Sequence, residues 1–123
     1  MLYKKILNTM ITELKTVDNE TAKLLKEVGS SIKSIFPDST VIIFGSYARG
    51  EQEIDSDLDI CVLVPEITCR RAEMSVDAAC SIRRGFPLPF DLLLYTYDEF
   101  EKYSQSTSRI QHTIKQEGVV LSA

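Results

Sequence analysis

The sequence predicts an α/β fold, a small mixed sheet with helices packed mainly on one side. Three observations carry that expectation. Residues 41–44, 58–64 and 90–95 are short apolar runs rich in β-branched, leucine and aromatic residues, the composition of buried strands. The segments around them repeat their apolar residues every three or four positions, which is the helical period. Finally, 123 residues suffice for one core burying roughly two-thirds of the unfolded surface, and not for two. The expected organisation is a single domain over 1–123, with a helical region over 2–36 and a core over 40–123.

Residues 2–36 place Tyr3, Leu7, Met10, Leu14 and Val17 at alternating spacings of four and three, and Leu24, Val28 and Ile35 continue the stripe. Thr21 and Ser31 interrupt it, and Asp18-Asn19 reads as a break and N-cap, so two helices are expected rather than one. Such a stripe is core; its far end could alternatively serve as a partner-docking or self-association face. Pro37-Asp38-Ser39 ends the helical region and leads into the first strand. Gly45-Ser46 breaks that strand into a short helical segment, and 51–56 form a polar, solvated connection in which Ser56 orients the loop.

A helix is expected after Pro65, with Ile67, Met74, Ala78 and Ile82 on one face and Arg70, Arg71, Glu73 and Asp77 elsewhere. Arg83-Arg84-Gly85 is a helix C-terminal signal. The third strand opens with Asp91. Thr96 and Glu99 match a capping box, after which Phe100 and Tyr103 face inward. A polar break over 104–108 precedes a last helix over 109–117, with Ile110 and Ile114 inward and Gly118 as its stop. His112 falls on the outer face and is assigned no role. The tail 119–121 reads as an edge strand or a docking segment.

Charge and composition exclude several classes. The net charge is −4 and the pI about 5.0, against the basic surface that proteins use to grip nucleic acid nonspecifically. No stretch approaches the ~18 consecutive apolar residues of a membrane span, and the N-terminus does not resemble a signal peptide, so a cytoplasmic location is expected. Cys61, Cys69 and Cys80 are odd in number and lack metal-ligand spacing; they read as reduced packing residues.

The chemistry concentrates between the first two strands. Asp57 and Asp59 flank the start of the second, and strand alternation points both the same way, with Cα atoms roughly 6 to 7 Å apart. Carboxylates so placed can hold a divalent cation, and Mg²⁺ typically takes one or two of them and fills its other positions with water and substrate phosphates. Gly45 permits a sharp turn and close backbone approach, Ser46 offers a hydroxyl and an N–H, and Arg49 adds fixed positive charge, all suited to phosphate. Asp91, opening an apolar run, is costly to bury without a partner, which a metal ion or a nearby backbone N–H would supply.

Gly45-Ser46, ten residues (47–56), then Asp57-x-Asp59, set between two apolar runs, resembles the signature of the polymerase-beta-like nucleotidyltransferases. The string GSYARG followed by SDLDI is similar to the minimal nucleotidyltransferase (MNT) branch, closely over 41–64 and more loosely over 87–118. The resemblance implies a palm-type sheet and transfer of AMP from ATP to a hydroxyl. It also implies two Mg²⁺ ions held by Asp57, Asp59 and Asp91, and triphosphate contacts from Gly45, Ser46 and Arg49, although Arg49 could instead tie the short helix to the core. It further implies a partner protein, since MNT chains are commonly antitoxins that adenylylate a tyrosine of an all-helical HEPN ribonuclease. Two other classes fit the same residues: a non-catalytic module that neutralises its partner by occupancy, and a small-molecule adenylyltransferase of the aminoglycoside-modifying kind. Spacing leaves the strand order and the oligomeric state open.

Overall fold

The computed structural model describes Met10 and residues 18–122. They form α1 (Asn19–Ile35), β1 (Thr40–Phe44), α2 (Ser46–Arg49), β2 (Leu58–Val64), α3 (Arg71–Arg83), β3 (Phe90–Thr96), α4 (Tyr97–Ser104), α5 (Ile110–Glu117) and β4 (Val119–Ser122). Of the stripe expected over 2–17, Met10 is buried and the rest lies outside the described residues.

The break at Asp18 is where α1 begins, with Asp18 Oδ1 accepting from the Thr21 N–H at 2.7 Å. The buried face of α1 is Leu25, Val28, Gly29 and Ile32, while Leu24 is only partly buried and Ile35 is 40% exposed. Val28 therefore lies on the predicted stripe, while Leu24 stands at its margin and Ile35 falls off it, because Leu25 and Ile32 complete the buried face.

The sheet is mixed, in the order β3-β2-β1-β4. β1 runs antiparallel to both β2 and β4, β2 runs parallel to β3, and the tail supplies the edge strand β4. A parallel pair needs a crossover, and α3 provides it. That helix starts at Arg71, later than expected: Arg70 keeps extended backbone at φ −108°, ψ 139°, which leaves Ile67 in the loop, still packed on the core.

Alternation along the strands divides the core in two. Val41, Ile43, Ile60, Val62 and Val119 meet Leu25 and Ile32 of α1, Tyr47 of α2, and Met74 and Ile82 of α3. Ile42, Phe44, Cys61, Leu63 and Val120 face the other way, against Tyr97 and Phe100 of α4 and Ile114 of α5. The longer helices thus share one face as expected, but the sheet is covered on both sides. The Thr96 capping box is the cause, because it turns the chain straight from β3 into α4: Glu99 N–H donates to Thr96 Oγ1 at 3.1 Å and Thr96 N–H to Glu99 Oε1 at 2.8 Å. Arg71 locks this corner, donating to both Glu99 oxygens at 2.9 and 2.7 Å and to the Leu94 carbonyl at 2.9 Å. Ile110, expected inward, is 47% exposed because it is the first residue of α5, whereas Ile114 one turn on is fully buried. His112 is half-buried, its Nδ1 2.9 Å from the Ser104 carbonyl. Among the described residues no helix is long and apolar enough to cross a membrane.

Candidate active site

Sheet direction gathers the candidate residues at one edge. β1 ends where β2 begins, so Phe44 lies opposite Asp59; β3 runs alongside β2 in register, so Asp59 lies opposite Asp91. Register partners share a face, and neighbouring strands are ~4.8 Å apart. Asp59 and Asp91 therefore stand side by side, on the α4 and α5 face that Phe44 and Cys61 also occupy. Asp57 is exposed, one residue ahead of β2, where the Leu58 N–H donates to the Pro89 carbonyl at 3.1 Å and ties the starts of the two strands together.

The turn after β1 lies directly against this pair. Gly45 has φ 73° and ψ −152°, a conformation close to glycine-only, and a Cβ there would overlap Asp59 Oδ2. Glycine is needed for the backbone angles and for the space alike. Tyr47 and Ala48 bury the inner side of the four-residue α2, with the Tyr47 ring edge-on to Phe86 at 6.5 Å, so the turn is anchored from behind.

Arg49, read as a phosphate ligand, is already engaged. Its Nη1 lies 3.2 and 3.3 Å from the two oxygens of Glu117 and its Nε 3.4 Å from Glu51 Oε1. Glu117 Oε1 also accepts from the Gly45 N–H at 3.1 Å. The sequence reading assigned Glu117 only to the end of the last helix. Its signal was local: an acid in the final turn opposes the helix dipole, which favours a cation such as Lys115 there.

The electrostatics are those of an undercompensated anionic cluster. Burial, then the charges of Asp91 and Asp57, push the Asp59 carboxyl above its usual range; Glu117 adds to the rise and Arg49 opposes it. Among the described residues, no three His, Cys, Asp or Glu side chains converge tightly enough to hold an ion by themselves. The donors that do stand there are hard carboxylate oxygens, the kind Mg²⁺ takes, one or two from the protein with water and substrate oxygens completing the shell. Asp59 and Asp91, with Asp57 nearby, are the residues that could hold it. A cleft of about 460 Å³ opens beside Asp59, walled by Phe44, Gly45, Asp59 and Glu117 and by the loop at Thr107 and Arg109.

Known proteins share this arrangement of elements. The sequence model of the nucleotidyltransferase domain family matches residues 25–120. A Methanocaldococcus jannaschii protein named "Putative protein adenylyltransferase MJ0141" is 32% identical over 77 residues, 61% of this chain and 75% of its own. A second from that organism, "Putative protein adenylyltransferase MJ1215", is 41% identical over 44 residues, 36% of this chain and 51% of its own. Among solved structures, a toxin-antitoxin crystallised with AMP-PNP superposes with a TM-score of 0.57 at 20% identity, over 85% of this chain and 73% of its own. A Sulfolobus solfataricus structure described as a putative nucleotidyltransferase gives 0.52 at 24% identity, over 82% and 78%. At those identities the solved structures speak for the fold, whereas the sequence match covers most of the chain. The chain belongs to the nucleotidyltransferase domain family, among its minimal (MNT) members, and is an enzyme of nucleotidyl transfer.

Proposed function

We propose that this enzyme transfers AMP from ATP to a hydroxyl of a partner protein, with Mg²⁺, acting as the antitoxin of a HEPN-type toxin. One observation carries the chemistry: Asp59 and Asp91 side by side in register against the Gly45 turn. The partner reading is supported by the name of the MJ0141 relative and by the toxin-antitoxin neighbour crystallised with an ATP analogue.

In this reading the acceptor oxygen attacks the α-phosphorus in line. A new O–P bond forms, the bond from phosphorus to the bridging oxygen breaks, and pyrophosphate leaves with that electron pair. Asp91, exposed at the start of β3, takes the hydroxyl proton. Asp57, Asp59 and Asp91 are the residues that would hold Mg²⁺, which when bound would supply neutralisation of the charge developing on the attacking and leaving oxygens. The Gly45 N–H, the Ser46 hydroxyl and Arg49 orient the β- and γ-phosphates.

The test incubates the protein with ATP labelled at the α-phosphate, Mg²⁺ and lysate of the source cell. The expected result is one labelled protein band that disappears with chelator and in the Asp57→Asn, Asp59→Asn double variant. Labelled RNA would move the acceptor to another class. A double variant that still neutralised its partner fully would replace catalysis with occupancy.

A further inference from the structure

Glu117 holds the groups that the reading above gives to the triphosphate. Its Oε1 accepts from the Gly45 N–H at 3.1 Å, and both its oxygens lie within 3.3 Å of Arg49 Nη1. A carboxylate presents two anionic oxygens much as a phosphate edge does, and hydrogen bonds to charged acceptors are the strong kind. The contact is long in range, 72 residues apart from Gly45, and it is built rather than incidental. Gly118, the next residue, is packed so closely that a Cβ would overlap the Ile114 carbonyl and stand 2.7 Å from Ile42 Cγ2. That fixes the end of α5 against β1, so Glu117 can leave the Gly45 turn only by rotating its own side chain. An acid there works against the dipole of α5, and the pairing with Arg49 offsets that cost.

We infer that Glu117 is a phosphate surrogate that closes the triphosphate seat of the empty enzyme, so that ATP binds only by displacing it. The side chain is a positioning residue, since it acts by withholding Gly45 and Arg49 from the nucleotide. It thereby sets how much ATP the enzyme needs, and it favours ligands carrying β- and γ-phosphates to compete for those donors over AMP. This rests on the assignment of Gly45 and Arg49 to the triphosphate.

The experiment measures binding of ATP, of inorganic triphosphate and of AMP by titration calorimetry with Mg²⁺, for the wild type, Glu117→Gln and Glu117→Ala. Both variants are first checked by thermal melting. The expected result is roughly five- to tenfold tighter ATP and triphosphate binding in both, because a charge-assisted contact no longer competes, with AMP unchanged. KM for ATP falls by a similar factor while kcat moves less. Folded variants whose triphosphate affinity is unchanged or weaker overturn the inference, as does an equal gain for AMP. A wild type that binds neither ATP nor triphosphate overturns the phosphate assignment itself, which separates the two failures. Should the alanine variant not fold, the glutamine variant, which keeps the shape and a neutral acceptor, decides.

Discussion

Gly45→Ala strikes the point where turn and site touch. The backbone at φ 73°, ψ −152° lies in territory that residues with a Cβ avoid at ~1–3 kcal/mol, and the added methyl would overlap Asp59 Oδ2. The chain can relieve the overlap only by turning Asp59 aside or by bending the turn, so the total is about 2–4 kcal/mol. For 123 residues the unfolding entropy makes each kcal/mol worth about 4 °C, and the expected loss in Tm is roughly 8–15 °C. Activity falls further than stability, because displacing a group in the site by about 1 Å costs on the order of 10²-fold. The assay pairs a thermal melt with AMP transfer measured well below the variant's Tm. Gly85→Ala is the control: no atom lies within 4 Å of its would-be Cβ, and its melt stays within about 2 °C of wild type. A Gly45→Ala protein with wild-type melting and transfer would refute the close approach on which the site is built.

Asp59→Asn lowers AMP transfer by roughly 10²-fold or more without lowering Tm, since it removes an ionised carboxylate that burial and its neighbours disfavour; transfer assays and melts in chelator check both halves. Glu99 has its carboxyl held below the usual 4.5 by Arg71, so the stability it contributes is present above that pH and is lost as pH falls through the lowered folded value; urea melts of wild type and Glu99→Gln should converge on acidification from pH 6 to 3. Burial pushes the Cys61 thiol far up, whereas Cys69 and Cys80 are exposed, so a thiol reagent should label two cysteines in the native protein and the third only after denaturation. Gly118→Ala forces a methyl into Ile42 and the Ile114 carbonyl and should cost about 2 kcal/mol in chemical denaturation.

What could be read from the sequence was whatever is local. The strands were visible because their apolar runs are bounded by Pro, Gly and Asp, and the capping box at Thr96 because both its partners lie within four residues. Asp57, Asp59 and Gly45 were visible because one turn and one strand start contain them. Ile35 and Ile110 were misplaced for the same reason in reverse: a helical period says which residues share a face, and not that Leu25 and Ile32 complete the buried face of α1 or that Ile110, as the first residue of α5, stays at its exposed end. The corner at Arg71 and Glu99 needed the packing of α3 beside β3, which no spacing encodes.

Glu117 is the strongest case of that limit, and the sheet explains it. β1 is antiparallel to both its neighbours, so the end of β1 meets the starts of β2 and β4: Phe44 lies opposite Asp59 and Ile43 opposite Val119. β3, parallel to β2, brings its own start to the same edge. Four strands therefore present at one rim the residues that follow β1 and those at or just before the starts of the other three, namely Gly45, Asp59, Asp91 and Glu117. Three of these were legible from residue type and the flanking runs. The fourth depends on where β4 joins the sheet, and a tail of four residues pairing beside β1 rather than β3 is a tertiary choice. Had β4 added beside β3, Glu117 would stand beyond β3, two strands farther from Gly45 and Arg49, and nothing would compete for the turn. The carboxylate pair and its competitor are thus consequences of one strand order, which is why a change that loosens β4 should alter nucleotide affinity before it alters the Asp59–Asp91 register.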